Sequence, residues 1–163
     1  MLARLIWRRT AKNIWLKLSV KNIAADSGPL IALFNRTDSW NQRVIEWVES
    51  NPRTRLITTW AVVTEVCALL SKRIGDAAAH DFLTWIERGG ITLDAPVPAS
   101  FHDVLEISRR YKNVPFDFAD ASIAELAARH GIADVLTIDS DFDIYRDARG
   151  KPLRNALRIG ASR

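Results

Sequence analysis

Short apolar strands alternating with helices predict an α/β fold: a parallel sheet with helices covering both faces. Three observations carry this expectation. Apolar, β-branched-rich segments at 23–25, 55–58, 91–93 and 134–138 are too short for helices and are bounded by turn or cap residues. The intervals between them have helical spacing and end at Gly, Pro or Asn. A chain of 163 residues, nearly half of them apolar, suits one domain with a buried core, and it shows no repeat or interdomain linker.

Residues 23–25 read as a strand ending at Asp26, after which Ser27-Gly28-Pro29 turns into an apolar helix over 30–34. Residues 40–49 carry Val44, Ile45, Trp47 and Val48 at helical spacing, and Asn51-Pro52 breaks that helix before the strand 55–58. Thr59 is placed to cap a long helix over 60–74 that stops at Gly75. A further helix spans 76–88, and Gly89-Gly90 separates it from a third strand at 91–93. Helices follow at 98–111 and 118–130, then the strand 134–138, which runs into Asp139.

The net charge of +4 resembles a nucleic-acid signal, but its distribution argues otherwise. Residues 1–22 hold six bases and no acid, leaving 17 bases against 19 acids in the remainder. The segment 1–22 is expected to be a loosely attached extension, or a product of start-codon choice with a native start near Val20, and the domain to span 23–163. A basic amphipathic arm for RNA or an anionic surface is the alternative for it. It has no uninterrupted apolar stretch of the signal-peptide kind, and no segment approaches a membrane span. The single cysteine, Cys67, and three widely separated histidines offer neither an internal disulfide nor a zinc-ligand spacing, so a cytoplasmic location is expected.

Four acids stand where folding alone does not want them. Asp26 and Asp139 each follow a strand and should open onto one edge of the sheet, although either could serve only as a turn or cap residue. Glu65 shares a helix face with Ala61, Val62, Ala68 and Leu69, so its carboxylate needs a partner, a proton or an ion; a salt bridge to an arginine is the ordinary solution. Asp120 lies on the stripe of Ile123, Ala124 and Ala127. Asp117 reads as the N-cap of that helix, with Asp120 also favoured by the helix dipole in its first turn. Four carboxylates converging at one edge would repel by about 4 kcal/mol per close pair at an effective dielectric near 20, so a cation must sit among them. An all-oxygen donor set points to Mg²⁺ or Mn²⁺.

These residues resemble a known family. Ala25-Asp26-Ser27-Gly28-Pro29-Leu30-Ile31-Ala32-Leu33-Phe34 is similar to the opening of PIN-domain proteins. Thr58-Thr59-Trp60 leading to Thr64-Glu65, Pro115-Phe116-Asp117-Phe118-Ala119-Asp120-Ala121-Ser122, and Leu136-Thr137-Ile138-Asp139 with Asp141-Phe142 and Tyr145-Arg146 resemble the VapC-like branch in identity and order. The likeness covers 23–149, not 1–22, and is weaker from Gly150 onward. It implies a three-layer α/β/α PIN-like fold around a parallel sheet of four to five strands, with an acidic pocket for one or two Mg²⁺ or Mn²⁺ ions. It also implies Asp26, Glu65 and Asp120 as metal ligands and catalytic acids, Asp139 as a fourth acid acting through water, and Ser27 as an accessory hydroxyl. Asp117 is an additional acid to which no role is assigned.

The chemistry so implied is metal-dependent hydrolysis of an RNA phosphodiester by an activated water, without a covalent intermediate. Arg146 and Arg149 could hold the flanking backbone, or be ordinary solvated surface. A VapC-like protein is expected to meet a small antitoxin that covers the pocket and to form a homodimer; Trp40, Trp47 and Trp85 are the candidate contact aromatics, or else core. Two other functions compete. A haloacid-dehalogenase-like or receiver-like phosphohydrolase is disfavoured by Gly28 where a second aspartate is wanted and by the lack of a matching lysine. A non-catalytic PIN-like scaffold binding RNA or protein would have no need of four unfavourable acids.

Overall fold

The computed structural model describes residues 20–95 and 97–159. The basic segment singled out in the sequence lies almost wholly outside these residues. The described chain forms five strands and seven α-helices in alternation: β1 (Lys21–Ala25), α1 (Ser27–Phe34), α2 (Asn41–Ser50), β2 (Thr54–Thr58), α3 (Trp60–Arg73), α4 (Asp76–Glu87), β3 (Thr92–Leu93), α5 (Ser100–Arg110), α6 (Phe118–His130), β4 (Asp134–Leu136), β5 (Arg154–Asn155) and α7 (Ala156–Ile159). All strands are parallel, in the order β3-β2-β1-β4-β5. The chain therefore builds outward from β1 through β2 to β3, then returns to the other side of β1 for β4 and β5. That reversal opens a crevice at the carboxyl ends of β1 and β4, the place where open α/β sheets put their sites.

Local chemistry sets the boundaries. Ile23, Ala24 and Ala25 are buried on both faces, as a central parallel strand requires. The helix expected to begin at Leu30 begins at Ser27, because Asp26 adopts the extended N-cap conformation and accepts a hydrogen bond from the Ser27 N–H. Ser27-Gly28-Pro29 is thus a first helical turn and not a preceding loop; proline is tolerated there because its missing N–H would have no helical partner. Thr59 caps α3 as expected, its Oγ1 accepting from the Val62 N–H at 3.3 Å. α6 spans 118–130 as the sequence indicates, ending at Gly131 in the left-handed conformation with φ 65°.

β4 is shorter than expected. It leaves the ladder after Leu136, whose carbonyl accepts from the Asp26 N–H at 3.0 Å, and the Thr137 hydroxyl then takes over the hydrogen bonding. β5 fills the outer edge, and its Arg154 joins Lys21 in pairing the buried Asp134 at 2.7 and 2.6 Å. The tryptophans considered as contact or core residues all make contacts within the fold. Trp85 is buried against Phe34 and Phe82; the Trp47 indole N–H donates to the Ala156 carbonyl at 3.0 Å; Trp40 is half-buried beneath the Arg43 guanidinium. Among the described residues, no helix is long and apolar enough to cross a membrane.

Candidate active site

Asp26 is the most buried of the four candidate acids, 4% exposed, and both its oxygens are engaged. Oδ1 accepts from the Ser27 N–H at 2.6 Å, and Oδ2 accepts from the Thr137 hydroxyl at 2.8 Å. Burial pushes its carboxyl up to about 6; the hydrogen bonds from Thr137 and Ser27 oppose that, and the negative charges of Glu65 and Asp139 add to it. Glu65, half-buried in the second turn of α3, and Asp139, exposed beyond β4, therefore act on the same carboxylate from opposite neighbours of β1.

Asp120 completes the group from α6. It and Asp117 form a reciprocal capping box, each side chain accepting from the other's backbone N–H at 3.0 Å. The capping role inferred for Asp117 is thus correct, and Asp120 shares it. The Asp120 carboxyl is nevertheless pushed up to about 8, first by burial, then by the charges of Asp26, Asp117 and Asp139 against the stabilising Asp117 N–H. Asp26, Glu65, Asp120 and Asp139, drawn from four separate stretches of chain, are thereby brought into one electrostatic neighbourhood. Ser27 contributes its backbone N–H to that site.

The contrast with the other buried acids is informative. Asp134 is held by Lys21 and Arg154, and Glu125 by Arg129, which also pairs Asp94. Among the described residues, none of the four clustered acids has a lysine, arginine or histidine within ion-pair distance. Among the described residues, Glu65 has no salt bridge of the kind that would give it an ordinary structural role. The donor set, all carboxylate oxygen with no basic partner, fits a hard divalent cation in chemistry. In their present rotamers no three His, Cys, Asp or Glu side chains among the described residues form a group able to hold an ion. Asp26 and Asp120 instead spend their oxygens on Ser27, Thr137 and Asp117.

Two participants were missed in the sequence. Thr137 is fully buried; its hydroxyl donates to Asp26 and accepts from the Asp139 N–H at 3.0 Å, so one side chain aligns two of the acids. Its only signal was its place between Leu136 and Asp139. Asp141 donates its N–H to Asp139 at 2.8 Å, and burial and the Asp139 charge raise its own carboxyl. A second hydroxyl pair, Thr59 and Ser122 at 2.7 Å, ties the first turn of α3 to α6 and so sets Glu65 relative to Asp120.

The sequence matches the family described as the PIN domain over residues 23–148. The chain belongs to the PIN domain family. Its PIN domain is similar to solved structures that share the fold at low identity. VapC20 of Mycobacterium tuberculosis, described as a sarcin-ricin loop cleaving toxin, superposes with a TM-score of 0.69 at 21% identity, covering 74% of this chain and 92% of that one. VapBC2 of Rickettsia felis, solved bound to a DNA fragment from its promoter, gives 0.58 at 14% identity over 82% and 98%. FitAcB of Neisseria gonorrhoeae gives 0.50 at 19% identity over 82% and 97%. Comparison with curated proteins gave no significant match.

Proposed function

We propose that this PIN domain is a metal-dependent endoribonuclease, the toxin of a VapBC-like toxin-antitoxin pair, hydrolysing RNA phosphodiester bonds with Mg²⁺ or Mn²⁺. The observation that carries this is the set of unpaired acids: Asp26, Glu65, Asp120 and Asp139 share one electrostatic neighbourhood, and among the described residues no basic side chain pairs with any of them. Asp26, Glu65 and Asp120 would hold the ion, with Asp139 at its edge. A divalent ion bound there would neutralise phosphate charge and acidify a water.

The chain's own residues supply the rest. Thr137 fixes the Asp26 rotamer and orients Asp139 through its N–H, and the Ser27 N–H favours the ionised form of Asp26. The Thr59–Ser122 bond holds the helices that carry Glu65 and Asp120. Asp139, exposed and acting electrostatically on Asp26 and Asp120, would accept a proton from an attacking water. Resemblance to a sarcin-ricin loop cleaving toxin and to a structure named VapBC2 supports the toxin assignment and a small protein antitoxin.

Incubating purified protein with total RNA in Mg²⁺, in Mn²⁺ or in chelator, then mapping the new ends, tests the proposal. Discrete cuts in either ion and none in chelator are expected. Cuts that persist in chelator would rule out metal dependence, and intact RNA under every condition would leave a non-catalytic PIN scaffold.

A further inference from the structure

The loop before α6 and the loop after β4 are clamped together by four rings. Phe116 lies 5.4 Å from Phe142 and is stacked on Tyr145 at 6.0 Å, with planes 2° apart; Tyr111 closes the group at 5.2 Å from Phe116 and 5.7 Å from Tyr145. The Tyr111 hydroxyl also accepts from the Arg146 N–H at 2.9 Å. Each clamped segment carries beside a ring an acid that contacts a member of the cluster: Asp117 after Phe116, hydrogen-bonded to Asp120, and Asp141 before Phe142, hydrogen-bonded to Asp139. Each also carries cations beside Tyr111 or Tyr145: Arg110 and Lys112 on one, Arg146 on the other. The Asp147 carboxylate then pins a turn by accepting from the Arg149 and Lys151 N–H groups, both at 2.8 Å, around Gly150 at φ 74°.

All five of these cations are exposed. Among the described residues, none of them has a carboxylate within ion-pair distance, whereas Lys21, Arg109, Arg129, Arg154 and Arg158 are each paired. From residue 23 onward acids outnumber bases, and the ring contacts together with the Tyr111–Arg146 hydrogen bond set the backbones that carry these cations side by side.

We propose that Arg110, Lys112, Arg146, Arg149 and Lys151 form a cationic ledge that binds the ribose-phosphate backbone of an RNA strand and leads it to the acid cluster. This rests on the ribonuclease function proposed above. An acidic pocket repels a polyanion, so a strand needs attraction beside it, and cations on segments that adjoin Asp120 and Asp139 supply it. Arginine suits the task because its planar fork pairs with phosphate oxygens.

The test is the salt dependence of binding of an unstructured oligouridylate to the full chain carrying Asp26→Asn, in Mg²⁺. Each phosphate contact on a single strand contributes about 0.7 to the slope of log affinity against log salt. Arg110→Gln with Lys112→Gln should flatten that slope by about 1.4 and weaken binding about tenfold at low salt. Arg146 also donates to the Asp143 and Tyr145 carbonyls, so Arg149→Gln with Lys151→Gln is the second pair, expected to act alike. Arg36→Gln with Arg53→Gln, remote in sequence from both loops, should leave the slope unchanged. In the otherwise unaltered chain, the ledge variants should raise KM several-fold with little change in kcat.

An unchanged slope, or an equal loss from the control pair, overturns the ledge. So does ledge-dependent binding of polyglutamate without binding of the oligouridylate. Cleavage at unaltered KM in the ledge variants would remove the ledge and leave the nuclease standing. Ledge-dependent RNA binding without cutting in either ion would remove the nuclease alone.

Discussion

Asp26 and Thr137 show how much of the site depends on a single hydroxyl. Replacing Thr137 by Val keeps the shape but leaves Asp26 Oδ2 and the Asp139 N–H without their partner. A lost bond of this kind costs about 1–3 kcal/mol of stability, and an outer-shell partner of a metal site is worth about 10–100-fold in activity. Thr137→Val is therefore expected to slow single-turnover RNA cleavage within that range and to lower the denaturant midpoint, with Thr137→Ser recovering most of both. If Thr137→Val cleaves at the unaltered rate, the hydroxyl does not position the site. Asp26→Asn and Asp120→Asn should each abolish cleavage in Mg²⁺ while the far-UV spectrum and cooperative unfolding persist. Cleavage surviving in either variant would remove that acid from the catalytic set. Glu65 and Asp120 could be singled out as candidates because a carboxylate on an apolar stripe is anomalous without any fold, and Asp26 and Asp139 because each follows a strand. Thr137 was not, because its meaning depends on β1 and β4 lying side by side, a pairing that brings together residues 111 positions apart.

At the scale of elements, strands and helices were readable wherever periodicity and a cap agreed, as in α3 with Thr59 and Gly75, or α6 with Asp117 and Gly131. Boundaries failed where side chains took over the backbone's bonding: Asp26 drew α1 back to Ser27, and Thr137 ended β4 at Leu136. Gly28 marks a further constraint invisible in sequence. A Cβ there would come within 2.6 Å of Ile138 Cγ1 and 2.9 Å of its Cδ1, so α1 can approach the end of β4 only because residue 28 has no side chain. Gly28→Ala is predicted to destabilise by about 1–3 kcal/mol through overpacking. The half-buried Ile138 is the atom donor of that clash, so Ile138→Ala in the same chain should recover part of the loss. Strict additivity in chemical denaturation of the two single variants and the double would show that the α1–β4 contact is not the cause.

For the whole molecule, the cluster predicts a definite sign for the dependence of stability on pH and on a divalent metal. The carboxyls of Asp26 and Asp120 rise in the folded state from an ordinary value of 3.8 to about 6 and about 8. Well below pH 3.8 both are protonated in folded and unfolded chains alike, and neither penalises folding. As pH climbs, the unfolded chain releases its protons first, so folding loses stability progressively up to about pH 6 for Asp26 and about pH 8 for Asp120. In chelator the contribution of these two groups should therefore make the melting temperature lower at pH 8 than at pH 5. Asp120→Asn should remove the larger part of that difference, since its Oδ1 can still accept from the Asp117 N–H. A divalent ion that binds only the folded chain reverses the trend, raising the melting temperature most where both carboxyls are ionised, in proportion to the logarithm of its concentration over its dissociation constant. Thermal melts at pH 5 and pH 8, with chelator and with millimolar Mg²⁺ or Mn²⁺, measure all of this at once. A melting temperature unaffected by either ion at pH 8, in a chain that Asp120→Asn nevertheless stabilises there, would mean that the acids repel one another without gathering a cation.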